Sequence, residues 1–209
     1  MLPETNLLLF LGASLALILT PGQDNLYVMT RGIARGRTAA LVSSWGVCAG
    51  LMVHTTLAAL GLSAILASSA AAFQVVKYAG VAYLIYLGVK TLLDRESFTV
   101  PEGGDRPSRG LGGVFAQGVA TNVLNPKVAL FFLAFLPQFA GASGGAAQFL
   151  ALGVIFALLA LVITGVIAVF SGALGGWLKS RPGPANALRY ATGGILVGLG
   201  VRLALAERG

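Results

Sequence analysis

Two ionic side chains, Asp24 and Lys127, stand inside long apolar runs, and each lies just after a proline that must interrupt a helix. The first sits in Thr20-Pro21-Gly22-Gln23-Asp24-Asn25, the second in Thr121-Asn122-Val123-Leu124-Asn125-Pro126-Lys127. A charge at the centre of a membrane helix costs about 2.5 to 3.5 kcal/mol, so lining a polar cavity is the usual reason to keep one. An acid and a base in corresponding places suit a zwitterion. Asp24 would take an ammonium group or a coupling proton, and Lys127 would help to hold a carboxylate. The alternative is a structural salt bridge between them.

Each break also has the pattern of a helix start. Thr20 followed by Gln23 matches a capping box with Pro21 at the first helical position, and Asn125 would cap a helix whose first residue is Pro126. Helix N-termini carry partial positive charge and free N–H groups, and discontinuous-helix transporters use them to hold substrate carboxylates. The candidate substrate-binding residues are therefore Thr20, Pro21, Gly22, Gln23, Asp24, Asn25, Asn122, Asn125, Pro126 and Lys127. Asp24 is also the candidate proton-coupling group. The bland reading of both breaks is a proline kink stabilised by neighbouring helices.

The elements that must position these groups follow from hydropathy. The chain of 209 residues is 56% hydrophobic and only 10% charged, with mean hydropathy +0.85, whereas soluble domains carry about 25% charged residues. Apolar runs long enough to cross ~30 Å of hydrocarbon predict spans at residues 6–29, 39–67, 73–93, 111–139, 146–178 and 184–206. The fifth run exceeds one crossing and must tilt or begin at the interface, with Gly172, Gly175 and Gly176 loosening its end. The fold expected is an all-α integral membrane protein of six transmembrane helices, the first and fourth broken at proline. The N-terminus lacks a basic segment and carries Glu4, so it reads as an uncleaved first helix rather than a signal peptide.

Residues 1–209 form one transmembrane transporter domain in this reading: repeat 1 over about 6–93, a polar Gly- and Pro-rich loop at 94–110, and repeat 2 over about 111–206. Laying residues 77–93 on 189–205 gives seven identities in seventeen positions, including Tyr78/Tyr190, Gly88/Gly200 and Leu93/Leu205. Lys77/Arg189 and Lys90/Arg202 keep their charge. Phe10 precedes Pro21 by eleven residues, as Phe115 precedes Pro126. With three spans in each half, the halves enter the membrane from opposite sides and form an inverted repeat.

The net charge of +7 reflects topology rather than nucleic-acid binding, because the basic residues cluster in short connections. With the N-terminus outside, inner connections collect Arg31, Arg35, Arg37, Lys90, Arg95, Arg106, Arg109, Lys179, Arg181 and Arg189, against Lys77, Arg202 and Arg208 outside. Both termini are thus expected in the periplasm. A lone cysteine, Cys48, and a lone histidine, His54, exclude an internal disulfide and the common clustered metal sites, and no cofactor is expected. His54 could shuttle protons, though a single histidine on an apolar helix is more often hydrogen-bonded structure. Tyr83 and Tyr86 would line a cavity or join an interfacial belt. The glycine pairs Gly46/Gly50 and Gly172/Gly176 would let helices approach closely.

At its two breaks the sequence resembles the LysE/RhtB family of bacterial amino-acid exporters. The matching stretches are LTPGQDNLYVMTRGIARGRTAAL at 19–41, GVAYLIYLGVKTLL at 80–93 and TNVLNPKVALFFLAFLPQF at 121–139. The resemblance implies export of amino acids or related small metabolites across the bacterial inner membrane, driven by proton antiport with alternating access. It gives functional weight to Pro21, Gly22, Asp24, Asn25, Asn125, Pro126 and Lys127. Gln23 departs from the family, which usually has a second proline there. The partners implied are a zwitterionic amino acid, protons and the lipid bilayer, without nucleic acid and compatible with a homo-oligomer. A pore would need several chains to build a selectivity ring from one Asp and one Lys. A membrane enzyme fits poorly, because no HExxH, cysteine or histidine cluster, or paired intramembrane acids occur.

Topology is directly checkable. Reporter fusions at Pro101 and at the C-terminus are expected to place the first in the cytoplasm and the second in the periplasm; a cytoplasmic C-terminus removes the six-span arrangement.

Overall fold

Leu, Ala and Gly dominate the apolar runs, and a helix that is apolar nearly all round must be covered by protein or lipid. The computed structural model describes residues 4–62, 70–93, 110–140, 145–180 and 182–205, and all regular structure among them is helical. In chain order the helices are α1 (Glu4–Leu19), α2 (Gln23–Leu57) with a π-helical extension at Ala58–Leu62, α3 (Ala70–Leu93), α4 (Leu111–Val123), α5 (Pro126–Phe139), α6 (Ala146–Ser180) and α7 (Pro182–Leu205). The polar loop at 94–110 lies outside the described residues except for Gly110.

Among the described residues, Gln23–Gly61 and Ala146–Gly172 are each long and apolar enough to cross a membrane. The pair α4 and α5, bent by 52° at its break, makes a third such stretch if it counts as one span. Leu7–Leu19, Tyr78–Leu93 and Tyr190–Val201 are shorter apolar helices.

Two local expectations are corrected. The connection expected at residues 30–38 is helical except at Gly36, whose φ of 82° and ψ of 176° turn the chain within α2. That backbone region favours glycine, so one residue replaces a loop. At the other correction, α6 runs unbroken through Gly172, Gly175 and Gly176. Its 35 residues span ~52 Å at 1.5 Å each, more than an upright crossing needs.

Glycines set two of the tight seams. In the seam between α2 and α4, a Cβ added to Gly46 would collide with the Phe115 carbonyl, one at Gly118 would lie 2.9 Å from the Ser43 carbonyl, and one at Gly50 would lie 2.7 Å from Asn122 Cβ. The Gly46/Gly50 pair therefore packs a helix, as expected. Gly172 has nothing within 4 Å of its Cβ position, and a contact comes instead from Ser171 against Gly32. The seam between α3 and α7 is reciprocal. A Cβ at Gly88 would lie 2.6 Å from Val197 Cγ2, and one at Gly200 would lie 2.7 Å from Ile85 Cγ1. In the alignment of the two halves, Gly88 matches Gly200 and Ile85 matches Val197. Equivalent positions also share surroundings: Leu84 and Leu196 are both fully buried, while Tyr78 and Tyr190 are 56% and 57% exposed. The side chains of Lys77, Arg189 and Arg202 lie outside the described set.

The main core gathers phenylalanines of α1, α5 and α6. Phe10, Phe131, Phe132, Phe135, Phe139, Phe149 and Phe156 are buried together, with ring centroids 4.5 Å apart for Phe131 and Phe135 and 5.4 Å for Phe10 and Phe139. Aromatic pairs of this kind add about 0.5 to 1.5 kcal/mol beyond burial.

Overpacking a full seam costs about 1 to 3 kcal/mol. Gly118→Val is therefore expected to lower the melting temperature of the detergent-purified protein by several degrees, and Gly172→Ala to leave it unchanged. An unchanged melt for Gly118→Val would mean that α2 and α4 are not held at glycine distance.

Candidate functional site

The first break exposes backbone that must find partners. Helix α1 ends at Leu19, and Thr20 folds back, its N–H donating to the Ala16 carbonyl at 3.0 Å and its hydroxyl to the same oxygen at 2.7 Å. This corrects the expected capping box, since the hydroxyl turns back into α1 and caps nothing in the helix that follows. The N-cap of α2 is Gly22, in extended conformation, and no side chain caps the new helix. Asn25 closes part of the gap by donating from Nδ2 to the Ile18 carbonyl at 2.7 Å.

The second break follows the expected design. Asn125 caps α5, accepting from the Lys127 N–H at 3.0 Å, with Pro126 next in the first helical position. Such a cap is worth about 1 kcal/mol. The amide nitrogen of Asn125 then remains free to reach the other half.

The two breaks satisfy each other. Asp24 Oδ2 accepts from Asn122 Nδ2 at 2.9 Å and from Asn125 Nδ2 at 3.1 Å. In return, Lys127 Nζ donates to the Thr20 carbonyl at 2.7 Å. That carbonyl lies just past the C-terminal, negative end of α1, where a cation is favoured. Gly22 makes room for this exchange, since a Cβ there would sit 3.2 Å from Lys127 Nζ. The alternative of a direct Asp24–Lys127 salt bridge is not what the structure contains: Lys127 bonds a backbone carbonyl, and the bonds of Asp24 go to two amides.

A small cavity of about 30 Å³ lies between the breaks, lined on its polar side by Gly22, Asp24, Asn25, Asn125 and Lys127. Space of that size holds one or two waters. Its apolar wall comes from Leu17, Ile18, Val47, Leu51, Val128, Phe156 and Ala160, with Thr164 beside them. Asp24 Oδ1 is buried without a hydrogen-bond partner. An unpaired buried acceptor is costly, about 1 to 3 kcal/mol and more when charged, so this oxygen is ready to bind a donor.

Of the other sequence candidates, Asn122 stands behind Asp24, fully buried. Thr20, Pro21, Gln23 and Pro126 shape the breaks but do not line the cavity; Pro21, Gln23 and Pro126 are exposed. Tyr86 is exposed, and neither it nor Tyr83 lines the cavity. Cys48 points its thiol at the Ala157 carbonyl at 3.7 Å, a packing contact. The apolar wall escaped sequence reasoning because its residues look like any other membrane-helix positions. His54 is buried with Nε2 3.1 Å from the Asn122 carbonyl, a link that nothing in the local sequence announces.

Away from the cavity toward Arg31, the halves are joined by polar contacts. Tyr27 Oη donates to the Val114 carbonyl at 2.6 Å, and Arg31 donates to Gln117 Oε1 at 2.8 Å while lying over the Tyr27 ring.

Lys127→Met leaves the Thr20 carbonyl without its cation and removes the only base among the described residues that line the cavity. Transport is expected to fall roughly ten- to hundredfold, the kinetic equivalent of leaving a buried group unpaired, with membrane insertion intact by fractionation. Adding Asp24→Asn should not restore it; recovery in the double variant would mark the two charges as a purely structural pair.

The LysE type translocator family model matches residues 15–207. The uncharacterized membrane protein YrhP of Bacillus subtilis is 31% identical, covering 96% of this chain and 99% of its own. A homoserine/homoserine lactone efflux protein of Salmonella typhimurium is 32% identical over 95% of each chain. A leucine efflux protein of an Enterobacter species is 29% identical over 90% of each. No solved structure matches the chain significantly. The match along nearly the whole length, with both breaks inside it, establishes that this chain belongs to the LysE type translocator family.

Proposed function

We propose that this protein exports amino acids from the cytoplasm by proton antiport, using the cavity between the two breaks as an alternating-access site. The observation that carries the reading is Asp24: one carboxylate oxygen held by Asn122 and Asn125, the other buried and unpartnered, with Lys127 across the cavity. A substrate ammonium or a proton can complete that carboxylate, but both together leave no charge to hold the ammonium. Protonation from the periplasm releases the substrate, and proton loss to the cytoplasm restores the anion for loading. Lys127 and the uncapped start of α2 offer the substrate carboxylate a cation and free N–H groups.

The substrate class follows from the wall. Asp24 is the only acid among residues 5–93 and 110–206, so a basic side chain would find no second carboxylate. Aliphatic residues and Phe156 instead favour a neutral side chain. The efflux relatives named for leucine and homoserine agree with a neutral amino acid.

Alternating access is supported by the size of the cavity. A cavity of about 30 Å³ is too small for an amino acid, so one end must part for loading. In this reading the phenylalanine cluster is the gate at the α1 and α5 end, and the Tyr27–Val114 and Arg31–Gln117 contacts are the gate at the other. The reciprocal Gly88–Val197 and Gly200–Ile85 contacts support six spans arranged as an inverted repeat, the geometry that lets two such ends exchange roles. With both termini in the periplasm, the Tyr27 end is the cytoplasmic gate. The site residues proposed are Gly22, Asp24, Asn25, Asn125 and Lys127 around the substrate, with Asn122 behind them.

In proteoliposomes with an imposed pH gradient, the wild-type protein is expected to accumulate leucine or homoserine against its gradient. Asp24→Asn should lose accumulation while keeping measurable substrate exchange. Accumulation at the normal rate by Asp24→Asn would remove Asp24 from the coupling step.

A further inference from the structure

We infer that His54 is a positioning residue for the coupling carboxylate, acting through Asn122. This rests on the functional reading of Asp24 given above. His54 lies on the part of α2 beyond Gly36, thirty residues from Asp24 in sequence, yet it belongs to the same polar chain.

The geometry is specific. His54 Nε2 is 3.1 Å from the backbone oxygen of Asn122, and a carbonyl only accepts, so Nε2 carries the proton. The same oxygen also accepts the Asn125 N–H at 2.9 Å. Asn122 is the penultimate residue of α4, where carbonyls have lost their helical partners. Two donors therefore pin the end of α4 at the residue whose side chain bonds Asp24 Oδ2. The Asn122 side chain has little freedom besides, since it packs where a Gly50 side chain would stand. The imidazole is itself fixed against Phe132, with ring centroids 5.7 Å apart. The histidine, the α4 end and the amide thus form one unit, and its last bond falls on the carboxylate.

The charged surroundings are sparse. Of the elements packed against α2, α5 brings Lys127, while α4, the Ala58–Leu62 turn and the described side chains of α6 bring no titratable group. On α2 itself Asp24, Tyr27 one turn after it and the thiol of Cys48 lie near the site, with Arg31 beyond Tyr27. Hydrogen bonds to the anion favour it over the protonated form. Losing the Asn122 bond therefore makes proton binding easier, and half-maximal coupling should move to higher pH.

The test compares His54→Leu and His54→Gln in proteoliposomes, reading KM and the pH midpoint of gradient-driven uptake together with the melting temperature. His54→Leu is expected to raise KM roughly fivefold, as for one lost buried hydrogen bond, and to shift the midpoint to higher pH. His54→Gln, whose amide still donates, should recover most of both. In an Asn122→Ala background, His54→Leu should add no further shift, because the connecting side chain is gone. Loss of coupling in His54→Gln as complete as in His54→Leu would make His54 a proton carrier and overturn the proposal. A lowered melt in His54→Leu with KM and midpoint unmoved would also overturn it, leaving a purely structural histidine. Normal coupling in Asp24→Asn is a separate result that sinks the functional reading itself, and this proposal with it.

Discussion

Everything at the centre of this molecule follows from one constraint: backbone interrupted in an apolar environment must find hydrogen bonds within the protein. Two prolines interrupt two helices, and each half supplies what the other lacks. Lys127 of the second half bonds the Thr20 carbonyl of the first, while Asp24 of the first half is held by Asn122 and Asn125 of the second. Neither break is satisfied by its own half alone. The charges that would be a liability in hydrocarbon therefore join the halves, and the glycines at 22, 46, 50 and 118 bring the backbones close enough for them to do so.

The same exchange makes the site switchable in the proposed cycle. Lys127 bonds a carbonyl rather than a carboxylate, and Asp24 keeps one oxygen unpartnered, so neither ion is neutralised by a direct bond to the other. A zwitterion can then compete for both without first breaking a salt bridge, whose rupture would leave uncompensated buried charge. The two gates of the proposed cycle differ in kind. Aromatic packing at one end resists opening through buried area, while at the other a tyrosine and an arginine make a few polar contacts that water can replace.

The sequence makes the scaffold readable because its signals are strong and local. Hydropathy marks most of the described helix ends to within a few residues, though not the join at 30–38, and Asn125-Pro126 announces a cap that the structure contains. Asp24 and Lys127 stand out as ions placed well inside the long runs, each just after a break. Thr20 misleads because its hydroxyl has a competing acceptor in its own helix, the Ala16 carbonyl. The partner of Lys127 could not be read, since a backbone carbonyl 107 residues away leaves no trace in side-chain identity. The same holds for His54 and Asn122. Gly46 with Gly50 and Gly172 with Gly176 share one pattern, yet Gly46 and Gly50 face another helix closely and Gly172 does not, because spacing fixes a helix face but not what lies opposite it. The cavity wall is invisible for a simpler reason: Leu17, Val47 and Val128 are as apolar as their lipid-facing neighbours.

The central claim is that substrate and proton compete for one carboxylate, and the most direct measurement is proton release when an amino acid binds to the purified protein in weakly buffered detergent. Over part of the pH range in which the protein transports, the account predicts a release approaching about one proton per bound substrate, abolished in Asp24→Asn even where that variant still binds. Binding without proton release across the whole range, or equal release from Asp24→Asn, would contradict it.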